Sequence, residues 1–346
     1  MRRVVVLGGR GFFGGAAAER LRADGIRPLL ASRRRGAELR LDVESRASLK
    51  SALRPGDVVL DAAGPFQKRT TALVEVALET GFDVVDISDS LGYAERVSDL
   101  RLRIEAAGIR VLTSCSSISV VSAAAIRLSG VAQPARVSLV LLPATRATAR
   151  GGTASSLLES VGRPIRVLRD GRLAERAGWR ESRALRWPAT GRRVRGYACE
   201  SADALHLPPL WPSLRRVDFY VDARAPGLNL ALSLAARSEP VRRVIAALMP
   251  LGVILCRLFG SKGGGILYEI EGPDRAVVSV ALLAPRRSYL IAVAPAVLAA
   301  RAMAQGRFTA TGLVPPDRQV DARELVDYLG RLGVDLVTIR HGQRPA

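Results

Sequence analysis

Apolar and polar positions along this chain fall into two textures. Over the first 120 residues, short apolar runs alternate with stretches whose apolar residues recur at helical spacing. The runs Val4–Leu7, Pro28–Ser32, Val58–Ala62, Val84–Ile87 and Val111–Thr113 read as strands. Gly14–Asp24, Ser45–Leu53, Thr70–Thr80 and Tyr93–Ala107 read as the helices between them. Several strands are continuous apolar runs rather than alternating ones, the pattern of strands covered on both faces of a parallel sheet. Regular alternation of strand and helix predicts right-handed crossovers and a doubly wound sheet. From about Val137 the strands lengthen: Val137–Leu142, Arg216–Val221, Gly265–Glu271 and Val277–Ala284, with fewer helices between them. This second texture predicts a mixed or antiparallel sheet. Ala292–Gly306 then reads as an Ala-rich helix, Ala322–Leu332 as an amphipathic one, and Asp335–Ile339 as a short strand.

The length of 346 residues fits two domains, and 48% hydrophobic with 24% charged residues is the profile of a globular protein. The net charge of +20 points toward an anionic partner. Its make-up changes that picture. Only Lys50, Lys68 and Lys262 are lysines, the other 49 basic residues are arginine, and aromatics are 5%. Such a skew describes an arginine-biased surface, so nucleic acid is not expected as a partner. Cys115, Cys199 and Cys256 are far apart and His206 and His341 are the only histidines, so neither a disulfide framework nor a zinc site is expected. A reducing cytoplasm fits. The opening apolar run is too short for a signal peptide and reads as the first strand. Val244–Cys256 carries no charge, is interrupted by Pro250 and is flanked by Arg242, Arg243 and Arg257. Thirteen residues fall short of the ~20 that span a bilayer. The stretch reads as a buried helix pair; an interfacial patch or a hydrophobic substrate wall is the alternative.

The strongest motif is Val4-Val5-Val6-Leu7-Gly8-Gly9-Arg10-Gly11-Phe12-Phe13-Gly14-Gly15. Glycines at 9, 11 and 14, overlapping a frame at 8, 11 and 14, form the dinucleotide fingerprint between a strand and a helix. They permit a tight turn, admit a pyrophosphate to the backbone, and let the helix pack on the strand. The helix start then offers N–H groups and partial positive charge to phosphate. The second strand ends in Ser32-Arg33-Arg34-Arg35, where an NAD-selective fold usually places an acid. A hydroxyl beside guanidiniums suits a 2′-phosphate, so NADP is expected over NAD.

Two further segments complete the pattern: Asp57-Val58-Val59-Leu60-Asp61-Ala62-Ala63-Gly64-Pro65-Phe66-Gln67, and Gly81-Phe82-Asp83-Val84-Val85-Asp86-Ile87-Ser88-Asp89. With the glycine loop and the Ser32-Arg33 strand end, they make the chain resemble the saccharopine dehydrogenase-like (saccharopine reductase-like) oxidoreductases. Arg150–Ser156 with Gly162-Arg163-Pro164 resembles a helix start in that family's second domain. The resemblance is good over residues 1–165 and compatible to about 330. It implies an α/β fold: a Rossmann doubly wound parallel sheet with an inserted mixed α/β substrate domain and returning C-terminal helices. The NADP-binding Rossmann domain would be 1–121, completed by about 291–346. The insert, for substrate and dimerisation, would be 122–290.

The resemblance also implies site residues. Gly8, Gly9, Arg10, Gly11, Phe12, Phe13 and Gly14 would line the pyrophosphate. Ser32, Arg33 and Arg34 would meet the adenosine phosphate, and Asp42 with Val43 the adenine. Ala63, Gly64, Pro65 and Phe66 would pass under the nicotinamide-side ribose, with Ser88 and Asp89 facing the nicotinamide. Relatives often carry proline or glycine-proline where this chain reads Cys115-Ser116-Ser117-Ile118-Ser119-Val120. There is no Tyr-x-x-x-Lys pair and no histidine near the expected active end. A proton donor must therefore come from Asp89, Tyr93, Cys115, Tyr197 or water, with Asp89 first because it follows a strand end. Asp89 as a helix N-cap and Cys115 as a small buried residue are the structural alternatives.

Arg163–Arg195 holds eleven arginines against Asp170, Glu175 and Glu181, with Trp179 and Trp187 interleaved and Asp170-Gly171 a candidate hairpin turn. It is a solvated arginine-rich hairpin or dimer edge, or else a surface for a negatively charged substrate or carrier, with nucleic acid the remaining alternative. The function expected is an NADP(H)-dependent oxidoreductase acting on a C=N, C=O or activated C=C bond of a small molecule, within secondary metabolism, as a homodimer. The alternative is a cofactor-binding scaffold without turnover, peripheral to a membrane through 244–256.

Overall fold

A computed structural model of the chain describes residues 1–33 and 36–341. It divides into two compact units, 1–121 with 292–325, and 122–291 with 326–346. The first unit is built on seven strands: β1 (Val4–Leu7), β2 (Leu29–Ser32), β3 (Leu39–Arg40), β4 (Val58–Asp61), β5 (Asp83–Asp86), β6 (Arg110–Leu112) and a late two-residue strand, β15 (Gly312–Leu313). Their order is β15-β6-β5-β4-β1-β2-β3, and every pairing is parallel. The order reverses beside β1, which makes the loop after β1 the switch point where ligands bind in such sheets. β1, β4 and β5 are buried along their whole length, as continuous apolar runs require when both faces are covered.

Helices of this unit are α1 (Phe12–Ala23), α2 (Arg46–Ala52), α3 (Ala72–Thr80), α4 (Leu91–Ser98) and α5 (Arg101–Ala107). Ser45 caps α2 by accepting the Ser48 N–H, and Ser90 caps α4 by accepting that of Tyr93. α3 and α5 end on Gly81 and Gly108, both left-handed. The single helix expected over 93–107 is two helices, broken at Asp99-Leu100; no proline or glycine explains the break. A core of Val5, Leu7, Val59, Leu73, Val84 and Phe82 ties strands to helices.

α6 (Val120–Ser129) leads into the second unit. Its strands are β7 (Arg136–Leu142), β8 (Pro164–Arg169), β9 (Arg172–Ala177), β10 (Ser182–Arg186), β11 (Arg193–Cys199), β12 (Arg216–Val221), β13 (Gly264–Glu271), β14 (Val277–Ala284) and β16 (Asp335–His341). The path is β10-β11-β12-β7-β13-β14-β16, with β8 pairing β12 and β9. Only β12 and β7 run parallel; the rest are antiparallel, so the sheet is mixed. Helices α7 (Thr145–Thr148), α8 (Gly151–Ser160), α9 (Asp203–His206), α10 (Leu228–Ala235), α11 (Glu239–Ala247) and α12 (Met249–Phe259) interrupt it. α13 (Leu290–Ala304) and α14 (Ala322–Arg331) follow β14.

Three expectations are corrected or extended. The tail does not wholly complete the first unit, because β16 pairs with β14 over seven residue pairs and so belongs to the second sheet. Arg163–Arg195 is four strands, with Asp170 and Gly171 both at positive φ in the turn between β8 and β9. The buried helix pair over 244–256 is not found: α11 has no buried residue and α12 only Cys256. There is no helix among the described residues long and apolar enough to cross a membrane.

Three arginines of the second sheet are held by one acid. Asp218 on β12 is 2% exposed and pairs with Arg136 (3.3 Å), Arg216 (2.8 Å) and Arg169. Removing a buried acid from among its cations leaves positive charges facing one another. Asp218→Asn should therefore lower stability by ~2–3 kcal/mol, toward the small end because the guanidiniums are partly solvated. Urea unfolding with an unchanged m-value checks this; an unaltered midpoint would show that the arginines do not depend on Asp218.

Candidate active site at the carboxyl ends of the parallel strands

The loop after β1 is shaped by crowding. Gly8 sits at φ +68°, where a side chain is strained, and a Cβ there would lie 2.7 Å from the Ala62 carbonyl oxygen. At Gly14 a Cβ would come within 2.3 Å of the Gly8 carbonyl oxygen. The Gly11 N–H donates to that same oxygen at 2.7 Å. The turn is thus wedged between the end of β4 and the first turn of α1. Gly11 is the N-cap of α1 and offers no side chain, and the first turn holds no acid. The positive end of the helix is left for an anion.

The ends of β4, β5 and β6 form a second cluster. Asp61, fully buried, closes β4. Arg69, 6% exposed, pairs with it at 2.9 Å, donates to the Ala63 carbonyl at 2.8 Å and reaches Glu44. Burial works against the Arg69 charge, but Asp61, aided by Tyr93 and Glu44, outweighs it and raises the guanidinium pKa. The Arg69 head lies 5.5 Å from the Phe66 ring centre, and Phe66 packs on Tyr93 at 5.3 Å. The Gly64–Pro65 peptide in this loop is cis.

Asp86 closes β5 and is also fully buried. Its Oδ1 accepts the N–H groups of Ser88 and Ser114, each at 2.9 Å, and its carbonyl accepts that of Cys115 at 2.7 Å. Burial pushes its pKa up to about 6; the Ser114 and Ser88 N–H groups pull it back and Asp61 adds to the rise. One carboxylate therefore ties the loop after β5 to the loop after β6. In the latter, Ser114 (φ 54°) and Ser119 (φ 71°) both occupy the left-handed region. Two such residues so close together mark a backbone held by its surroundings, a feature that concentrates at functional sites. Gln319 braces the segment by donating to the carbonyls of Thr113 (3.1 Å) and Val314 (2.9 Å).

Comparisons with known proteins agree with this geometry. Residues 4–112 match the family described as the saccharopine dehydrogenase NADP binding domain. Among solved structures, apo saccharopine dehydrogenase (L-Glu forming) from Saccharomyces cerevisiae superposes with a TM-score of 0.63 at 14% identity, covering 99% of this chain and all of that one. Homospermidine synthase from Legionella pneumophila, solved in complex with NAD, gives 0.64 at 12% identity, over 98% of this chain and 91% of that one. No curated protein sequence matches. Residues 4–112 are thus similar to the NADP binding domain of saccharopine dehydrogenase, and the chain shares the fold of these two structures. The matched residues lie within the first unit, which makes it the candidate for a nicotinamide cofactor.

The residues expected in the site are placed as follows. Gly8, Gly9, Arg10, Gly11, Phe12, Phe13 and Gly14 form the loop after β1 and the start of α1, where Phe12 and Phe13 pack edge to face at 5.2 Å. Ser32 ends β2 and Arg33 follows it, exposed to solvent. Arg34 lies outside the described residues. Asp42 shapes its own turn, its Oδ1 accepting the Glu44 N–H at 3.1 Å, and Val43 packs on the core. Ala63 and Gly64 are accessible and Phe66 is buried beneath them. Ser88 is fully buried; its hydroxyl accepts the Ser90 N–H at 3.1 Å.

The four proton-donor candidates separate clearly. Asp89 does not cap α4, since Ser90 does. The residue is exposed and accepts from Gln67 at 3.2 Å; desolvation of the carboxyl by the protein packed around it raises its pKa, against the Gln67 hydrogen bond. Tyr93 is fully buried, and burial with Asp86 and Asp61 pushes its phenol well up. Cys115 is fully buried too, its thiol pushed well up by burial and Asp86. Tyr197 lies in the second unit, stacked on Trp179 at 5.1 Å. The sequence reading passed over Asp61, Arg69, Asp86 and Gln67. The signal for the two acids was there: each terminates a run of buried residues, in VVLD and DVVD.

The pKa of Asp86 gives a pH test. It is raised from 3.8 to about 6, so the folded state holds the proton longer than the unfolded one. Stability then falls as pH rises from about 4 to 6, by roughly 3 kcal/mol at ~1.4 kcal/mol per unit. Asp86→Asn keeps an oxygen for the two serine N–H groups and removes this slope. Chemical denaturation at pH 4 and 7.5 should show the variant gaining on the wild type with rising pH. Parallel curves would refute the environment assigned to Asp86.

Proposed function

We propose that the protein is an NADP(H)-dependent oxidoreductase that reduces or oxidises a C=N, C=O or activated C=C bond of a small molecule, within secondary metabolism. The observation that carries the reading is the glycine turn wedged between β4 and α1, with the uncapped positive end of α1 behind it. The bound cofactor supplies or takes the hydride. The chain's part is to hold it, orient it and move a proton. NADP is favoured over NAD because β2 ends in Ser32-Arg33 without an acid. The acid nearest in sequence, Glu38, is engaged by the Leu30 N–H at 2.6 Å. Arg33→Ala should weaken NADPH by ~10–100-fold, the worth of a charge-assisted contact, and leave NADH nearly unchanged. Titration with both nucleotides reads this directly, and equal losses would argue against a 2′-phosphate at Arg33.

Asp89 is the proton donor in this reading. It is the one accessible candidate in the first unit, it follows the end of β5, and Gln67 orients it. Its raised pKa keeps more of the acid form available than an ordinary carboxyl would. NADPH oxidation with a panel of imines and enones tests the activity. NADPH binding without turnover on any of them would favour the scaffold reading. With a substrate found, Asp89→Asn should lower kcat by ~100-fold with NADPH affinity intact. The decline of the wild-type reduction rate as pH rises through the Asp89 pKa should also vanish. A variant as fast as the wild type would remove Asp89 from the mechanism.

A further inference from the structure

The second unit carries an apolar surface that its own fold does not use. On α12, Leu251, Ile254, Leu255, Leu258 and Phe259 recur at helical spacing and are all exposed, Phe259 by 66%. This is the stripe that an amphipathic helix normally turns toward a core; here Cys256 is the buried residue and the stripe faces out. The same holds for its neighbours. α11 has no buried residue and leaves Val244 exposed, as is Leu248 just past its end, and α10 buries Leu232 and Ala235 while exposing Leu230 by 64%. Side chains scattered singly on a surface need no explanation, but a contiguous apolar patch on three successive helices does.

We propose that α10, α11 and α12 are a docking face for the surface of an anionic lipid bilayer. Charge decides between this occupant and a second copy of the chain. Between Glu239 and Glu269 there is no acidic residue, and the charged residues are Arg242, Arg243, Arg257 and Lys262. Arg243 is 79% exposed even with Glu239 at 3.4 Å. A two-fold contact would set this basic frame against itself, in a chain that already carries +20. Anionic headgroups supply the opposite charge, and acyl chains accept the leucines. The geometry fixes the depth. An eleven-residue helix is ~16 Å long, about half the ~30 Å hydrocarbon layer. The helices therefore lie along the interface, with the apolar face ~5–10 Å deep and the guanidiniums at headgroup level.

Flotation of the full chain with vesicles tests the proposal. Vesicles of phosphatidylcholine with phosphatidylglycerol should carry the protein upward, and vesicles of phosphatidylcholine alone should carry far less. Combining Leu251→Ser, Leu255→Ser and Leu258→Ser should reduce binding by at least ~10-fold, since each leucine loses its apolar burial in the bilayer. Combining Arg243→Glu with Arg257→Glu should abolish the preference for the anionic vesicles. These positions are outside the core, and an unchanged melting curve verifies the fold. As a measurement on a single substitution, Leu255→Cys labelled with an environment-sensitive fluorophore should shift to the blue on anionic vesicles; Cys115, Cys199 and Cys256 are buried. No flotation of the wild type, flotation that the serine variant retains, or a probe that does not shift would each overturn the proposal. A dimer that the serine variant splits, with no vesicle binding, would assign the face to a second copy instead.

Discussion

The carbonyl oxygen of Gly8 is the point on which the nucleotide half of the molecule turns. It accepts the Gly11 N–H at 2.7 Å and stands where a Cβ of residue 14 would be, 2.3 Å away. Gly8 itself presses on Ala62 at the end of β4. Three elements, β1, α1 and β4, thus meet within less than the width of one methyl group. The contact sets how close α1 comes to the strand ends and hence where its positive end points. Any side chain at residues 8 or 14 pushes α1 away and moves its positive end with it. The constraint is steric, so it costs nothing at any pH and is insensitive to salt, unlike the polar cluster beside it.

That cluster works on a different principle. Asp61 and Asp86 end adjacent strands, both fully buried, and each would be expensive as an isolated carboxylate. Asp61 is compensated by Arg69, which also holds the Ala63 carbonyl and so fixes the loop through Gly64 and Pro65. Asp86 has no such cation. It is compensated by the N–H groups of Ser88 and Ser114 and retains a raised pKa. The difference matters for the site. An ion pair can be exchanged for a good apolar fit, but an acceptor that joins two loop backbones cannot be removed without orphaning both donors. Asp86 is thus a positioning residue for the neighbourhood of Asp89, and the left-handed serines at 114 and 119 show how tightly that backbone is held.

What the amino-acid sequence revealed divides along the same physical line. The parallel sheet was legible because two-sided burial writes continuous apolar runs, and the glycine turn because only glycine survives its contacts. Strand ends shifted by a residue or two. β9 was not legible: Arg172–Ala177 is nearly all exposed and lacks alternation, and it is a strand only because β8 pairs with it. The tail 326–346 was assigned to the wrong unit for a similar reason, since its partner strand lies far away in the chain. The helices over 239–259 show the limit of periodicity most plainly. An apolar stripe at spacing three and four says that something covers it, and does not say whether that is the protein's own core.

The arginine excess takes on two physical forms once the structure is known. Within the second sheet, guanidiniums crowd around Asp218, which serves three cations, while Glu269 holds Arg183, and Arg136 has its pKa lowered by burial and by Arg183 and Arg216. Such arginines are mutually strained and internally committed, so they add to the net charge without offering it outward. Around α11 and α12 the opposite holds. Across Pro240–Tyr268 no acid is present, the apolar residues face solvent, and the long arginine stems can lie along them with their heads in water. A uniform coding bias toward arginine explains the first set as easily as the second. Longer acid-free runs lie at 106–158 and 275–316, but among the described residues neither exposes a large apolar side chain; over 240–268 the leucines point outward. A surface that pairs exposed apolar side chains with excess positive charge, four cations against Glu239 alone, is matched to a partner that is itself apolar within and anionic at its boundary.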